Sequence, residues 1–330
     1  MISVLGAGCW GTGIANLMAN NGHKVTVWAR KKKVAEEINK KRTNKQYLPK
    51  AKLNKNIYAE TSLEESIKNN ELIFLVIPAQ TVRSVCERIK ETLKEIKQKF
   101  SPSFVVCAKG IEKNSLKLMN EVITEYFPKA DVAILSGPNF AVEIVELLPA
   151  VTTVATKNKR FFDRIAKLLD SKSFKCHYSN DIVTTEVAGM MKNVVAIASG
   201  ITVGLELGEN AKASIIMQGF NEIGRFCDAM GGNKNNLNNA AGIGDIILTA
   251  GSRKSRNMSL GLEIGKGKKL EEILKGCNKT FEGLETSKSL IKLANKLGIN
   301  VPLCKAVAKI LKDNKKREEI DKIIRDIILM

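Results

Sequence analysis

The sequence is poor in the residues that build metal centres, disulfide frameworks and base-stacking surfaces. It has only two histidines, and its seven cysteines are odd in number, scattered and never spaced as C-x-x-C, so we expect no metal site. Most of the cysteines lie in apolar runs and are interpreted as small core residues. Four tyrosines and two tryptophans, without basic residues interleaved among them, do not fit a surface that stacks single-stranded nucleic acid.

Signals for export or membrane insertion are also missing. The first residues carry no basic region of the kind that opens a signal peptide. We read no apolar run as reaching the roughly 18–20 residues that a membrane span needs. We therefore expect a soluble, reduced, cytoplasmic protein that is not embedded in a membrane. The formal net charge of +19 is spread along the chain, so we expect no specific binding of nucleic acid, only weak non-specific attraction.

A glycine-rich turn near the start is the strongest motif in the chain. The apolar run Ile2–Leu5 leads into G-x-G-x-x-G at Gly6, Gly8 and Gly11, and a predicted helix follows. Gly6 permits a tight turn, Gly8 lets the backbone approach a pyrophosphate, and Gly11 lets the helix pack close to the strand. The helix N-terminus offers unpaired N–H groups to phosphates. The motif predicts dinucleotide binding, and a glycine-rich turn without a ligand is the alternative.

The residues after the second predicted strand bear on the choice of dinucleotide. Sites specific for NAD usually place an Asp or Glu there, where it binds the ribose hydroxyls. In this chain the strand Lys24–Trp28 is followed by Arg30 and then by Lys31–Lys33. A basic cluster at this place can pair with a 2′-phosphate, which favours NADP(H) and leaves NAD(H) possible. The alternative is that these lysines are the solvated start of a helix.

Alternating strands and helices in the first half predict an α/β fold. We expect an N-terminal Rossmann-like domain over residues 1–180, with a doubly wound parallel sheet, and an all-helical domain over residues 181–330 that binds substrate. The strands of this prediction are Ile2–Leu5, Lys24–Trp28, Glu71–Ile77, Ser103–Ala108, Asp131–Leu135 and Val151–Ala155.

Four polar residues are candidates for chemistry. Lys192 is the one charged residue in the apolar stretch Val187–Leu205, and Asn193 follows it. Burial would lower the pKa of such a lysine and make it a usable base near neutral pH, although a lysine that reaches the surface is the alternative. Lys109 follows a strand and would add a second cation, and an ordinary loop lysine is the alternative. Asp245 is either a helix N-cap or the group that orients a catalytic lysine.

A basic loop later in the chain is a candidate phosphate site. Ser255, Arg256 and Asn257 precede a predicted helix. Arginine with hydroxyl and amide donors at a helix start suits a phosphate group, whereas a solvated charged loop is the alternative.

Taken together, these segments resemble the bacterial type of NAD(P)-dependent glycerol-3-phosphate dehydrogenase. The resemblance covers the chain to about Leu311 and rests on the order and spacing of nine short segments: Gly6–Gly11, Trp28–Arg30, Tyr47–Pro49, Lys109–Gly110, Gly137–Ala141, Lys192–Asn193, Gly242–Asp245, Ser255–Asn257 and Glu282–Gly283.

The resemblance implies reversible reduction of dihydroxyacetone phosphate to sn-glycerol 3-phosphate, a glycerophospholipid precursor, by a homodimer. It implies that Lys192 exchanges the proton, with Lys109, Asn193 and Asp245 beside it. The implied substrate contacts are Lys109, Gly137, Asn139, Lys192, Asp245, Ser255, Arg256 and Asn257. The implied cofactor contacts, with the three glycines of the turn, are Cys9, Trp10, Arg30, Lys31, Tyr47, Lys109, Ala141, Arg256, Thr280 and Glu282. The family usually has Ser or Thr where this chain has Asn139.

Two other functions are consistent with parts of the sequence. A related hydroxyacid dehydrogenase would use the same lysine and asparagine, but the loop at Ser255–Asn257 argues for a substrate with a phosphate. A nucleotide-sensing protein without catalysis would be expected to lack Lys192, Asp245 or Arg256, and all three are present.

Overall fold

The computed structural model describes residues 2–275, 281–313 and 315–330. Its contacts divide the chain into two compact units. The first contains Met1–Ala108 and Lys117–Ile182, and the second contains Lys109–Leu116 and Val183–Met330. The predicted division at residue 180 therefore differs in one respect, because the short segment Lys109–Leu116 belongs to the second unit.

An eight-stranded sheet forms the first unit, in the order β3-β2-β1-β4-β5-β6-β7-β8. Its central strands are mostly apolar and almost entirely buried, as expected for a sheet covered on both faces, and the α/β prediction is confirmed. The strands are β1 (Ile2–Leu5), β2 (Val25–Trp28), β3 (Ile57–Glu60), β4 (Leu72–Leu75), β5 (Ser103–Val106), β6 (Val132–Ser136), β7 (Ala150–Ala155) and β8 (Phe174–Ser179).

Two of these strands are absent from the prediction, and both lie at the edges of the sheet. In β3 the residues Ile57 and Ala59 are buried while Tyr58 and Glu60 are exposed, and β8 is mostly polar. Edge strands have one open side and do not need the continuous apolar run that marks a central strand. The run of apolar residues therefore identified only the inner six strands.

Seven α-helices connect and cover the strands. Their apolar sides pack on the two faces of the sheet in two clusters of buried residues. The helices are α1 (Cys9–Asn20), α2 (Lys32–Glu36), α3 (Leu63–Ile67), α4 (Val82–Glu95), α5 (Met119–Tyr126), α6 (Ala141–Val145) and α7 (Lys159–Leu169). A π-helical turn, Glu37–Lys41, follows α2 directly.

One strand pair contradicts the prediction of a parallel sheet. β7 runs antiparallel to β6, while the other neighbouring pairs are parallel. The connection between them contains only α6, whose five residues span about 7.5 Å. A crossover to a parallel neighbour is usually built on a longer helix that runs back along the strand, whereas α6 forms little more than one turn. The chain instead re-enters the sheet from the end where β6 leaves it.

The second unit is helical. Its longest helix, α8, is followed by shorter ones and by a π-helical turn, Ala240–Gly244, directly before α10. The helices are α8 (Ile182–Gly204), α9 (Glu209–Ala229), α10 (Asp245–Gly251), α11 (Arg256–Gly265), α12 (Leu270–Leu274), α13 (Glu282–Leu297), α14 (Pro302–Lys312) and α15 (Arg317–Ile328). The expected helical C-terminal domain is confirmed.

The expectation that no apolar run is long enough to cross a membrane is wrong for the helix α8. By length and composition Ile182–Gly204 passes that test, but 94% of its most apolar window is buried inside the protein. The interior Lys192 and Asn193 break the run of apolar letters without lowering the mean hydropathy below that of a span. Neighbouring helices, rather than lipid, cover this helix.

Glycines bring α8 and α11 into close contact. A Cβ at Gly200 would lie 2.0 Å from the Met258 carbonyl oxygen, and one at Gly261 would lie 2.0 Å from the Ile197 carbonyl oxygen. Gly204 and Gly265 are as tightly placed one turn further along. No larger residue fits between the two backbones, so this contact fixes α11, which begins at Arg256, against the helix that carries Lys192.

Candidate active site

The glycine turn has the geometry that its sequence predicts. Gly6 has a φ of +124°, and a Cβ there would lie 2.2 Å from the Val76 carbonyl oxygen, so only glycine fits. A Cβ at Gly11 would lie 1.8 Å from the Gly6 carbonyl oxygen. Gly8 differs from both, because a Cβ there would meet nothing within 4 Å. The open side of the turn is therefore at Gly8, where the approach of a ligand is expected.

Other predicted cofactor residues of the first unit lie in or directly after elements that flank this turn, namely α1, α6 and β2. Cys9 and Trp10 are partly buried in the first turn of α1, and Ala141 is the first residue of α6, which packs against α1. Arg30 and Lys31 are exposed after β2, in agreement with a basic rather than acidic end to this strand.

Three further predicted residues lie in the loops of the first unit. Tyr47 is exposed to 37% in the loop after the π-helical turn. Gly137 packs against Thr152 of β7, with no room for a larger residue. The Asn139 side chain donates from Nδ2 to the Val151 carbonyl oxygen at 2.9 Å. This amide therefore ties its loop to β7, a contact that the resemblance did not imply.

A buried cluster of charges lies in the second unit. Asp245, exposed to only 1%, accepts hydrogen bonds from two ammonium groups. Lys192 Nζ lies 2.5 Å from Asp245 Oδ1, and Lys109 Nζ lies 2.6 Å from Asp245 Oδ2. The Asp245 side chain is thus occupied by the lysines and does not act as an N-cap. Residues distant in the sequence, 109, 192 and 245, meet at one carboxylate.

The cluster sets the protonation of its members. Burial lowers the pKa of Lys192 to about 8; the Asp245 charge opposes this shift and the Lys109 charge adds to it. Burial alone would also lower the pKa of Lys109, but the Asp245 carboxylate raises it above the usual value. Burial would raise the pKa of Asp245, yet the two lysines hold it below its usual range. Lys192 is therefore the member that titrates closest to neutral pH.

Thr249 also belongs to this cluster, although the sequence interpretation missed it. Its Oγ1 accepts a hydrogen bond from Lys192 Nζ at 3.0 Å and donates to Asp245 Oδ1 at 3.1 Å. Thr249 lies one helical turn after Asp245 on α10, so the two side chains share a face. The spacing D-x-x-x-T at a helix start was the signal that could have found it.

A second carboxyl group lies near the cluster. Glu282 begins α13, and its Oε2 accepts a hydrogen bond from Asn193 Nδ2 at 3.3 Å. Burial raises the pKa of the Glu282 carboxyl, against the influence of Lys109, Arg256 and Lys192. Asn193 thus links α8 to α13, and the two neighbours Lys192 and Asn193 contact different acids.

In the predicted phosphate loop, two side chains make hydrogen bonds within the protein and the third is exposed. The Ser255 hydroxyl caps α11 by accepting from the Met258 N–H at 3.4 Å. Asn257 is buried, and its Oδ1 accepts from the Gly283 N–H at 3.3 Å. Arg256 is exposed at the first position of α11. Arg256 is therefore the residue of this triplet whose charge is presented outward at a helix N-terminus.

One implied cofactor contact and the expectation about metals remain to be placed. Thr280, an implied cofactor contact, lies outside the described residues. Among residues 2–275, 281–313 and 315–330, no three His, Cys, Asp or Glu side chains are grouped so that they could hold a metal ion.

Comparisons with known proteins cover both units. Residues 1–162 match the family model for the NAD-dependent glycerol-3-phosphate dehydrogenase N-terminus, and residues 181–322 match the model for its C-terminus. A glycerol-3-phosphate dehydrogenase (NAD(P)+) from Parvibaculum lavamentivorans is 38% identical over 94% of this chain and 91% of its own length. The one from Fusobacterium nucleatum is 36% identical over 98% of this chain and 97% of its own length.

Solved structures give the same result. The glycerol-3-phosphate dehydrogenase of Coxiella burnetii superposes with a TM-score of 0.93 at 30% identity, covering 100% of this chain and 98% of that one. The enzyme of Plasmodium falciparum has a TM-score of 0.86 at 27% identity, covering 98% of this chain and 94% of that one. On its sequence and its fold, the chain belongs to the NAD-dependent glycerol-3-phosphate dehydrogenase family.

Proposed function

We propose that this protein catalyses the reversible NAD(P)H-dependent reduction of dihydroxyacetone phosphate to sn-glycerol 3-phosphate. Relatives that match nearly the whole chain are named glycerol-3-phosphate dehydrogenase (NAD(P)+), which supports this reaction. The observation that supports it best is the buried cluster in which Asp245 holds Lys109 and Lys192. Carbonyl reduction places negative charge on an oxygen, and two ammonium groups fixed by one carboxylate suit that charge.

Lys192 is the proposed proton donor in this direction. With its pKa lowered to about 8, its ammonium group can give a proton from Nζ to the developing alkoxide and regain it from water near neutral pH. Asp245 and Thr249 hold Nζ in place through hydrogen bonds. Lys109 remains protonated and adds fixed positive charge. In the oxidative direction neutral Lys192 accepts the proton.

The glycine turn fits the cofactor. A Cβ at Gly8 would meet no atom within 4 Å, whereas one at Gly6 or Gly11 would collide with a backbone carbonyl oxygen. The cofactor supplies the hydride when it is bound. The proposed cofactor contacts are Gly6, Gly8, Cys9, Trp10, Gly11, Arg30, Lys31, Tyr47, Ala141, Lys109, Arg256, Thr280 and Glu282. The exposed Arg30 and Lys31 support a preference for NADP(H) over NAD(H).

Arg256 is the proposed contact for the substrate phosphate. It lies exposed at the N-terminus of the ten-residue helix α11, where backbone N–H groups and the helix dipole add to its charge. Ser255 and Asn257 hold this helix start in shape. Gly137 and Asn139 are proposed as further substrate contacts. We also propose that the protein acts as a cytoplasmic homodimer and that its product enters glycerophospholipid synthesis.

The test is the oxidation of NADPH by dihydroxyacetone phosphate, followed at 340 nm, with NADH in parallel and unphosphorylated dihydroxyacetone as the control substrate. We expect rapid oxidation that requires the phosphate and is faster with NADPH. Equal rates with the unphosphorylated ketone would contradict the phosphate contact at Arg256. Tight NADPH binding without turnover would indicate a different carbonyl substrate or a nucleotide sensor.

A further inference from the structure

Asn44 is a buried polar residue that none of the roles above uses. It is exposed to 0% and lies in the loop between α2 and β3, far from the glycine turn in sequence. Its Nδ2 donates to the Ala7 carbonyl oxygen at 3.0 Å and to Thr12 Oγ1 at 2.8 Å. Because a carbonyl oxygen can only accept, the atom that faces Ala7 must be the amide nitrogen. The side chain therefore contacts the middle of the glycine turn and the start of α1.

The Ala7 carbonyl is held from two sides. Thr12 Oγ1, which accepts from Asn44, donates in turn to the same oxygen at 3.4 Å. Ala7 lies between Gly6 and Gly8, and glycine neighbours leave its peptide groups free to rotate unless something else fixes them. The asparagine and threonine side chains supply that restraint.

The orientation of this carbonyl determines the orientation of the next N–H. The Ala7 carbonyl and the Gly8 N–H belong to one planar trans peptide, so they point in opposite directions. With the oxygen directed at Asn44 and Thr12, the Gly8 N–H is directed away from them. No acceptor within the described ranges takes a hydrogen bond from this N–H, and the space beside Gly8 is open. The donor is therefore available to a ligand.

We propose that Asn44 is a positioning residue for the cofactor: it fixes the Ala7–Gly8 peptide so that the Gly8 N–H is presented to the pyrophosphate before the cofactor binds. This inference rests on the proposed use of NAD(P)H. A peptide oriented in advance spares the ordering cost on binding, so the effect is on cofactor affinity rather than on the chemical step.

The first unit contains a closely matched control. Asn70 is exposed to 2%, and its Nδ2 also donates to one backbone carbonyl, that of Ser66 at 3.0 Å, and to one hydroxyl, that of Ser3 at 2.6 Å. Both asparagines also have an Oδ1 without a hydrogen-bond partner. Replacing either one removes the same kind of bonds from the same unit, but only Asn44 contacts the glycine turn.

The experiment compares Asn44→Ala with Asn70→Ala in the full-length protein. NADPH is titrated without substrate, and thermal unfolding is recorded for each variant. We expect similar losses of Tm, a rise of about tenfold in the NADPH Kd for Asn44→Ala only, and a kcat within about twofold of wild type at saturating NADPH. An unchanged Kd in folded Asn44→Ala, or an equal rise in Asn70→Ala, would overturn the proposal.

Thr12 provides a second pair of variants if Asn44→Ala does not fold. Thr12→Val removes the hydroxyl that shares the Ala7 oxygen and should raise the NADPH Kd, whereas Thr12→Ser keeps it and should retain the wild-type Kd. Equal Kd values for these two variants would contradict the proposal. A wild-type protein that fails to bind NADPH would instead refute the proposed cofactor, so the two failures are distinguishable.

Discussion

The glycine turn of the first unit and the lysine–aspartate cluster of the second are the proposed cofactor and catalytic sites, and they would meet anionic groups by different means. The turn would offer backbone N–H groups, and it depends on the absence of side chains at Gly6, Gly8 and Gly11. The cluster works through side chains that are charged and buried, at Lys192 and Asp245. Adding atoms should therefore damage the first, and removing charge should damage the second.

The largest effect is expected from removing the charge of Lys192. Lys192→Ala eliminates the proposed proton donor, and kcat should fall by about 10³-fold or more while the NADPH Kd stays within about twofold of wild type. Steady-state kinetics and NADPH titration measure the two quantities. Lys234→Ala is the control, since Lys234 forms an exposed pair with Asp228 in the same unit. Turnover close to wild type would remove Lys192 from the proposed role.

A smaller effect is expected from adding one methyl group to the glycine turn. Gly8 has φ −74° and open surroundings, so Gly8→Ala should fold with an unchanged Tm but raise the NADPH Kd by about tenfold or more. Gly11→Ala forces a Cβ against the Gly6 carbonyl and should lower the free energy of unfolding by about 1–3 kcal/mol. Titration and urea unfolding of both variants check the pair. A Gly8→Ala variant with wild-type affinity would contradict the role of the open side.

The smallest effect is a dependence of rate on pH. The pKa of Lys192 is lowered to about 8, and its ammonium form is the proposed donor in reduction. The kcat/KM for reduction should therefore fall as the pH rises through about 8, and that for oxidation should rise over the same range. Both directions are measured between pH 6 and 10. Profiles that change in the same direction would show that another group controls the rate.

The first site could be largely predicted from the sequence because its signal is local. Three glycines within six residues, after an apolar strand, specify a turn whatever surrounds it, and the structure has that turn. Asn44 could not be found in this way, because its contact with Ala7 joins residues 37 positions apart through the folding of a loop. A glycine motif shows where the backbone has conformational freedom, but it does not show which distant side chain restricts that freedom.

For the second site, the sequence predicted the individual residues but not the contacts between their side chains. Lys192 is conspicuous as the one charged residue in the apolar stretch Val187–Leu205, yet only the fold shows that Asp245 binds it together with Lys109. The two edge strands and the antiparallel direction of β7 were missed for a related reason, since they depend on neighbours in the sheet rather than on the apolar residues of each strand.

The segment Lys109–Leu116 has a consequence for exchanging parts between relatives. The chain passes between its two units three times, at residues 108/109, 116/117 and 182/183. A chimaera joined at residue 182 would combine one parent's Lys109 with the other parent's Asp245 and Lys192. A chimaera that exchanges the first unit as a whole must therefore take residues 109–116, eight residues in all, from the parent that supplies the helical unit. In this protein, the unit that can be exchanged as a whole between relatives is therefore not one continuous stretch of sequence.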